Sequence, residues 1–248
     1  SIDNTYSNPN YQLSNRKTTF PDSSSGEVSY AYASEKGNQL MISKNLVEIP
    51  LETVSSKIVG TTSKTLTKSE VIYPLNQSEA NTKTSGLVLP ISVLSYELQN
   101  ASSATAELTF DKYDSKGNLQ QYTTKDGIST VIIWGYNQTQ PIAKIENVKF
   151  ASIQQSIIDT LVNASNTDAA AESNNDETDL LTAFNNFKNT LPGYQITTYS
   201  YDPLIGVRSI TPPSGIRENY IYDLAGRLEK VINIDGKVLK EMKYNYKN

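Results

Sequence analysis

Apolar and polar positions alternate with a two-residue period over much of the chain, the signature of half-buried strands. Between Glu27 and Leu98 the strand-like runs are Val28 to Tyr32, with Tyr30 and Tyr32 on one face, then Leu46 to Val59, Thr65 to Tyr73 and Leu87 to Leu98. Turn residues separate them: Lys36-Gly37-Asn38 and Gly60-Thr61-Thr62-Ser63 read as hairpin connections, and Asn76 to Ser85 reads as a polar loop. Links this short predict antiparallel pairing, because a parallel pair needs a long crossover. Ser1 to Gly26 is polar, carries Pro9 and Pro21, and reads as an N-terminal extension. From Phe150 to Leu191 the period changes. Ile153, Ile157, Ile158 and Leu161 recur at helical spacing, as do Leu180, Leu181, Phe184, Phe187 and Leu191, with a polar linker from Asn163 to Thr178 between them. This predicts a helical hairpin ended by Pro192-Gly193. Its apolar stripes serve either to cap the sheet or to dock a partner. The expected organisation is therefore an extension over 1–26, a β-rich region over 27–149, a helical hairpin over 150–192 and a second β region over 193–248. The fold class is mainly β, an antiparallel sheet of tandem β-hairpins with an inserted helical hairpin.

Self-similarity is the second signal. Tyr113-Asp114 is followed by Gly117-Asn118-Leu119, then Asp126-Gly127, then Tyr136-Asn137. Tyr222-Asp223 is followed at the same offsets by Gly226-Arg227-Leu228 and Asp235-Gly236, then by Tyr244-Asn245-Tyr246. Tyr201-Asp202 leads to Gly206 with one residue inserted and to Ser214-Gly215 in register. Tyr-x-Tyr pairs, such as Tyr199 with Tyr201 and Tyr220 with Tyr222, put two rings on one strand face, where they cover apolar area. The Asp carboxylate bonds nearby amides, and the following Gly supplies positive φ. The strand after it runs into Asp126-Gly127 or Asp235-Gly236, which reads as a type I′ hairpin turn. One repeat is one hairpin.

Composition narrows the chemistry. The sequence contains no His and no Cys. That excludes Ser-His-Asp and Cys-His catalysis, thiol redox chemistry and Cys/His zinc sites within this chain. Carboxylate chemistry survives, and a glycosidase reading would pair Glu97 with Glu107, or Asp111 with another acid. A sequence with 26 acidic residues offers many such pairs, so spacing alone singles out none. Asp114, Asp126, Asp223 and Asp235 offer oxygens that suit calcium, but no segment has the alternating Asp density of a dedicated loop. Turn-forming carboxylates are the expectation, with no metal and no cofactor. The net charge of -4 points away from nucleic acid. No run approaches the roughly eighteen apolar residues of a membrane helix, so no membrane insertion is expected. Trp134 and Tyr136 are the candidates for stacking on a glycan ring, against core packing of Val131 to Tyr136. Arg227 is expected to pair with a neighbouring acid or to cover a Tyr ring. The start lacks Met and a signal pattern, which reads as a mature or trimmed piece of something larger.

Residues Tyr220 to Gly236 resemble the YD-repeat pattern, Tyr-x-Tyr-Asp-x-x-Gly-Arg-Leu followed by an Asp-Gly hairpin. Thr109 to Asn137, Pro141 to Glu146 and Tyr199 to Asn248 together are similar to the terminal region of large RHS/YD-repeat proteins of the Bacteroidetes kind. The resemblance implies a long β-ribbon, which in toxin complexes winds into a shell and elsewhere forms a secreted or surface scaffold. The sequence departs from the toxin form in ending directly after a hairpin, with no aspartyl self-cleavage motif before that end. The expected role is a non-enzymatic extracellular or cell-surface scaffold whose partners are other protein chains or further repeats. A glycan-binding adhesin module is the alternative, and a shell segment of a toxin-delivery protein ranks below both.

Overall fold

The computed structural model describes residues 1–7, 11–97, 100–171, 177–202 and 204–244, with the side chains of 100–102 excepted. Pro9, Leu98, Asn245, Tyr246 and the 172–176 part of the expected linker lie outside the described residues. The fold is mainly β, and within each of its two units the strands form antiparallel tandem hairpins in which each strand pairs with its sequence neighbours. The chain divides into two compact units, Ser1–Gly127 and Ile128–Asn248.

The first unit is a meander of eight strands among the described residues: β1 (Ile2–Tyr6), β2 (Leu13–Thr19), β3 (Ser25–Ala31), β4 (Glu52–Val59), β5 (Thr62–Ile72), β6 (Ser92–Glu97), β7 (Asn100–Tyr113) and β8 (Leu119–Thr124). The expected N-terminal extension therefore holds two strands. Polar side chains suit them because β1 is exposed along its whole length. The β4–β5 turn lies at Gly60-Thr61, as its composition predicts, with Gly60 at φ 60°. Lys36-Gly37-Asn38 does not make a tight hairpin. Asn38 is buried and caps a short helix, α1 (Gln39–Ser43), by accepting the Met41 N–H at 3.0 Å while its amide donates to the Pro74 carbonyl. The strand expected from Leu46 starts only at Glu52, because Leu46, Ile49 and Leu51 turn inward around Met41 and Ala33. Asn76 to Ser85 is also no plain loop. Asn76 caps α2 (Gln77–Lys83) by accepting the Glu79 N–H, and Glu79 reaches back to the Leu75 N–H, a reciprocal arrangement that stabilises a first turn.

The second unit has seven strands among the described residues, β9 (Ser129–Gly135), β10 (Gln140–Glu146), β11 (Gln195–Asp202), β12 (Gly206–Thr211), β13 (Glu218–Tyr222), β14 (Leu228–Asn233) and β15 (Val238–Glu241). Its helical hairpin, α3 (Gln155–Ala170) and α4 (Thr178–Thr190), lies within the stretch where the period changes. One core joins Val131, Ile133, Ile142 and Ile145 of the sheet to Ile158, Leu161, Leu180, Phe184 and Phe187 of the helices. Helix α3 runs through the first half of the expected linker. Ile158, Leu161, Ser165 and Asp168 form a single buried stripe, so the polar residues there continue the inward face. Contact is closest at Gly135, where an added Cβ would lie 2.1 Å from the Ser165 hydroxyl oxygen.

Candidate functional site: clasped hairpins and a buried polar cluster

The recurring Tyr-Asp segments share one geometry. Each Tyr stands at or just past the end of a strand, and its phenol donates to a carbonyl near the start of the preceding strand. Tyr113 reaches Pro90 at 2.8 Å, Tyr201 reaches Pro141 at 2.9 Å, Tyr222 reaches Val207 at 2.9 Å and Tyr244 reaches Leu228 at 3.0 Å. Tyr32 makes the same bond to Leu13 at 2.8 Å, so the clasp extends into residues whose sequence shows only strand character. The phenol carries both apolar area and a donor, which is what a strand end with an unpaired carbonyl needs. Burial pushes the Tyr113 and Tyr201 hydroxyls up to about 12, so both stay protonated and donating at neutral pH.

After the clasp comes the turn. Asp223 accepts the N–H groups of Ala225 and Arg227 on one carboxylate oxygen, its own N–H donates to the Arg227 carbonyl, and the Gly226 N–H donates to the Asp223 carbonyl. Asp114 makes the matching set with Lys116, Asn118 and Gly117. Arg227 both pairs with Asp223, at 2.6 Å, and lies 4.8 Å from the centre of the Tyr244 ring. That pairing, with the backbone bonds, holds the Asp223 carboxyl below its ordinary value. Leu228, the last residue of the motif, opens β14 and supplies the carbonyl that Tyr244 clasps.

The Asp-Gly turns differ from the type I′ expectation. Gly236 has φ 77° and Gly127 has φ 81°, but neither Asp235 nor Asp126 has positive φ. Each Gly donates its N–H three residues back, to Asn233 and Thr124 respectively, so the turn is an ordinary one closed by a left-handed Gly. In the last hairpin Asn233, rather than Asp235, accepts the amides of Asp235 and Lys237. Asp-x-x-Gly and Asn-x-x-Gly are one device, and Gly215 closes the Pro212 turn by the same backbone bond. Asp202 departs from it, since Leu204 takes the positive φ and the carboxylate pairs with Arg208 at 3.3 Å. Gly206 there serves packing: a Cβ would stand 2.7 Å from the Tyr222 hydroxyl oxygen.

The structure also gathers groups that the sequence patterns leave unassigned. Tyr136 is buried, donates to the Asp168 carboxylate at 2.7 Å, and accepts the Tyr201 N–H at 2.9 Å. Its ring meets the Tyr201 ring edge-on at 5.4 Å. Burial raises its pKa, with Asp168 adding to the effect. As a glycan-stacking residue Tyr136 is thus corrected: both ring and hydroxyl are occupied inside the core. Trp134 is half-buried on β9. Glu177, at φ 54° before α4, is buried and pairs with Arg208 at 3.3 Å, and Arg208 bridges on to Asp202. Burial raises the Glu177 carboxyl above its ordinary value despite the Ser200 hydroxyl and Arg208. The signal available for Asp168 and Ser165 is their position in step with Ile158 and Leu161.

The proposed glycosidase acids serve cross-strand bonds: Glu107 accepts from Ser95 and Lys125, and Asp111 accepts from Thr123. Glu97 is exposed at the end of β6. Among the described residues no cluster of three or more acids stands ready for a metal ion, and no helix is long and apolar enough to cross a membrane.

Toxin-complex structures align with this chain. A crystal structure of TcdB2-TccC3-TEV matches at 12% identity and a TM-score of 0.42, covering 98% of this chain and 12% of that one. TcdB2-TccC3 without its hypervariable C-terminal region matches at 11% identity and a TM-score of 0.40, covering 97% and 13%. The Photorhabdus luminescens Tc holotoxin pore matches at 11% identity and a TM-score of 0.35, covering 97% and 12%. This chain spans about an eighth of those chains' length. No protein-family model matches the sequence. No curated protein matches it.

Proposed function

We propose that the chain is a non-enzymatic repeat scaffold, extracellular or at the cell surface, that holds other protein chains or further repeats of a longer polypeptide. The supporting observation is the clasp. The clasping tyrosine hydroxyls tie a strand end to the strand before it by the same bond in both units, and the Asp114 and Asp223 carboxylates with Gly117 and Gly226 close the turns that follow. Such groups are committed to shape, and a repeat whose units contact mainly their neighbours grows by addition of further units. The surface offered to a partner is a strand edge. β15 is exposed at every residue, with Val238 and Leu239 each 51% exposed, and among the described residues it pairs only with β14. The edge is short and carries Lys240 and Glu241, and its exposed Val238 and Leu239 are the residues suited to meet an added strand.

Native mass spectrometry of the protein isolated gently from its source tests the reading, together with a glycan array. The expected result is a protein partner or self-association that weakens several-fold when Val238 and Leu239 are both changed to Lys, with no change on Trp134→Ala. A monomer that binds sugars reproducibly, and loses them on Trp134→Ala, would favour the adhesin module instead.

A further inference from the structure

In the second unit a small hollow of about 270 Å³ opens between α4, β11 and the segment leading into β13, floored by Phe184. Its polar lining is Lys188 and Asn185 from α4, Thr198 and Thr211 from adjacent positions of β11 and β12, and Arg217. No acid lines it, although the protein as a whole carries more acids than bases. Neither Lys188 nor Arg217 forms an ion pair among the described residues. The Arg217 Nε is buried with no hydrogen-bond partner among the described residues. Arg217 also borders the neighbouring hollow that holds Glu177, Asp202 and Asp223, where Arg208 pairs with Glu177 and Asp202 and Arg227 pairs with Asp223, while the Glu177 Oε1 is buried with no hydrogen-bond partner among the described residues. Burial holds the Lys188 amine below its ordinary value. A buried guanidinium N–H left unbonded is costly, and natural structures seldom retain one without a purpose.

We propose that this hollow binds a compact oxyanion, a phosphate or a carboxylate, between the Lys188 ammonium and the Arg217 guanidinium. The planar guanidinium fork and the point charge of the ammonium suit both groups. The threonine hydroxyls supply donors beside them. The pocket is too small for a large ligand, so what enters is a free anion or a single acidic group projecting from a larger one. The inference stands on these residues alone and does not depend on the scaffold reading.

The test is titration of the whole chain with inorganic phosphate and, separately, with acetate, at constant ionic strength set by sodium chloride, following the backbone amide signals of Thr198, Thr211 and Gly215 by NMR. A saturable shift in either arm is expected, and the tighter arm identifies the anion class. Arg217→Gln and Lys188→Gln should each weaken binding about tenfold, the size of one lost charge-assisted hydrogen bond, while Lys240→Gln on β15 leaves it unchanged. Lys188 lies on a half-exposed face of α4, so its variant carries the test if Arg217→Gln fails to fold. The proposal is overturned if neither anion gives a saturable shift, or if Lys188→Gln binds as tightly as the parent chain.

Discussion

At Glu177 two influences oppose each other. Burial disfavours the carboxylate, while Arg208 at 3.3 Å and the Ser200 hydroxyl favour it, and burial wins, so the folded pKa lies above the ordinary value. A carboxyl raised on folding contributes stability below its unfolded pKa, and that contribution is lost as pH rises through the folded one. Glu177→Gln removes the titration and keeps the shape. Chemical denaturation across pH 4 to 8 is therefore expected to show the variant gaining stability relative to the parent as pH rises. A gain that is flat, or that grows toward acid pH, would contradict the raised pKa. Asp223 lies on the other side of this balance: half-buried, bonded by Arg227 and by turn amides, it is lowered rather than raised. Two acids in one unit thus differ because burial dominates at one and hydrogen bonds to the carboxylate dominate at the other.

At the scale of elements, the helical hairpin is fixed to its sheet by bonds as well as by apolar packing. Tyr136 links β9, α3 and β11 through one hydroxyl. Tyr136→Phe keeps the ring against Tyr201 but leaves the Tyr201 N–H unpaired and removes the donor facing Asp168. A loss of about 2–4 kcal/mol is expected from such paired buried groups. Hydrogen exchange should localise the loss to α3 and β11; a variant as stable as the parent would mean the bond adds nothing to packing. Periodicity made both helices and most strands legible from the sequence. The length of α3 was hidden, because Ser165 and Asp168 look like loop residues until Tyr136 is placed beside them. The short helices α1 and α2 were hidden too, since their stability comes from Asn caps and a few core contacts rather than from a repeating stripe.

For the whole chain, the motif spacing located the turns but not their mechanism. Tyr-to-Gly offsets are visible in one dimension, whereas the carbonyl each phenol seeks belongs to the strand before it. In the sequence Tyr32 shows only strand character because Ala33 stands where Asp or Asn follows the other clasping tyrosines, although its clasp is the same. Likewise Asn233 does the work that the Asp-Gly pattern assigns to Asp235. If the clasp is the repeating unit of stability, its contribution recurs at each hairpin with similar size, as nearest-neighbour terms do in repeat proteins. The decisive measurement is urea unfolding of Tyr113→Phe, Tyr201→Phe and Tyr222→Phe beside Tyr220→Phe, whose hydroxyl among the described residues meets the half-buried Glu218 at 3.3 Å and no backbone carbonyl. Each clasp variant is expected to lose about 1 kcal/mol, one neutral hydrogen bond, with the strand content unchanged, while Tyr220→Phe loses much less. Clasp variants indistinguishable from Tyr220→Phe would show that these hairpins are not held by the bonds described.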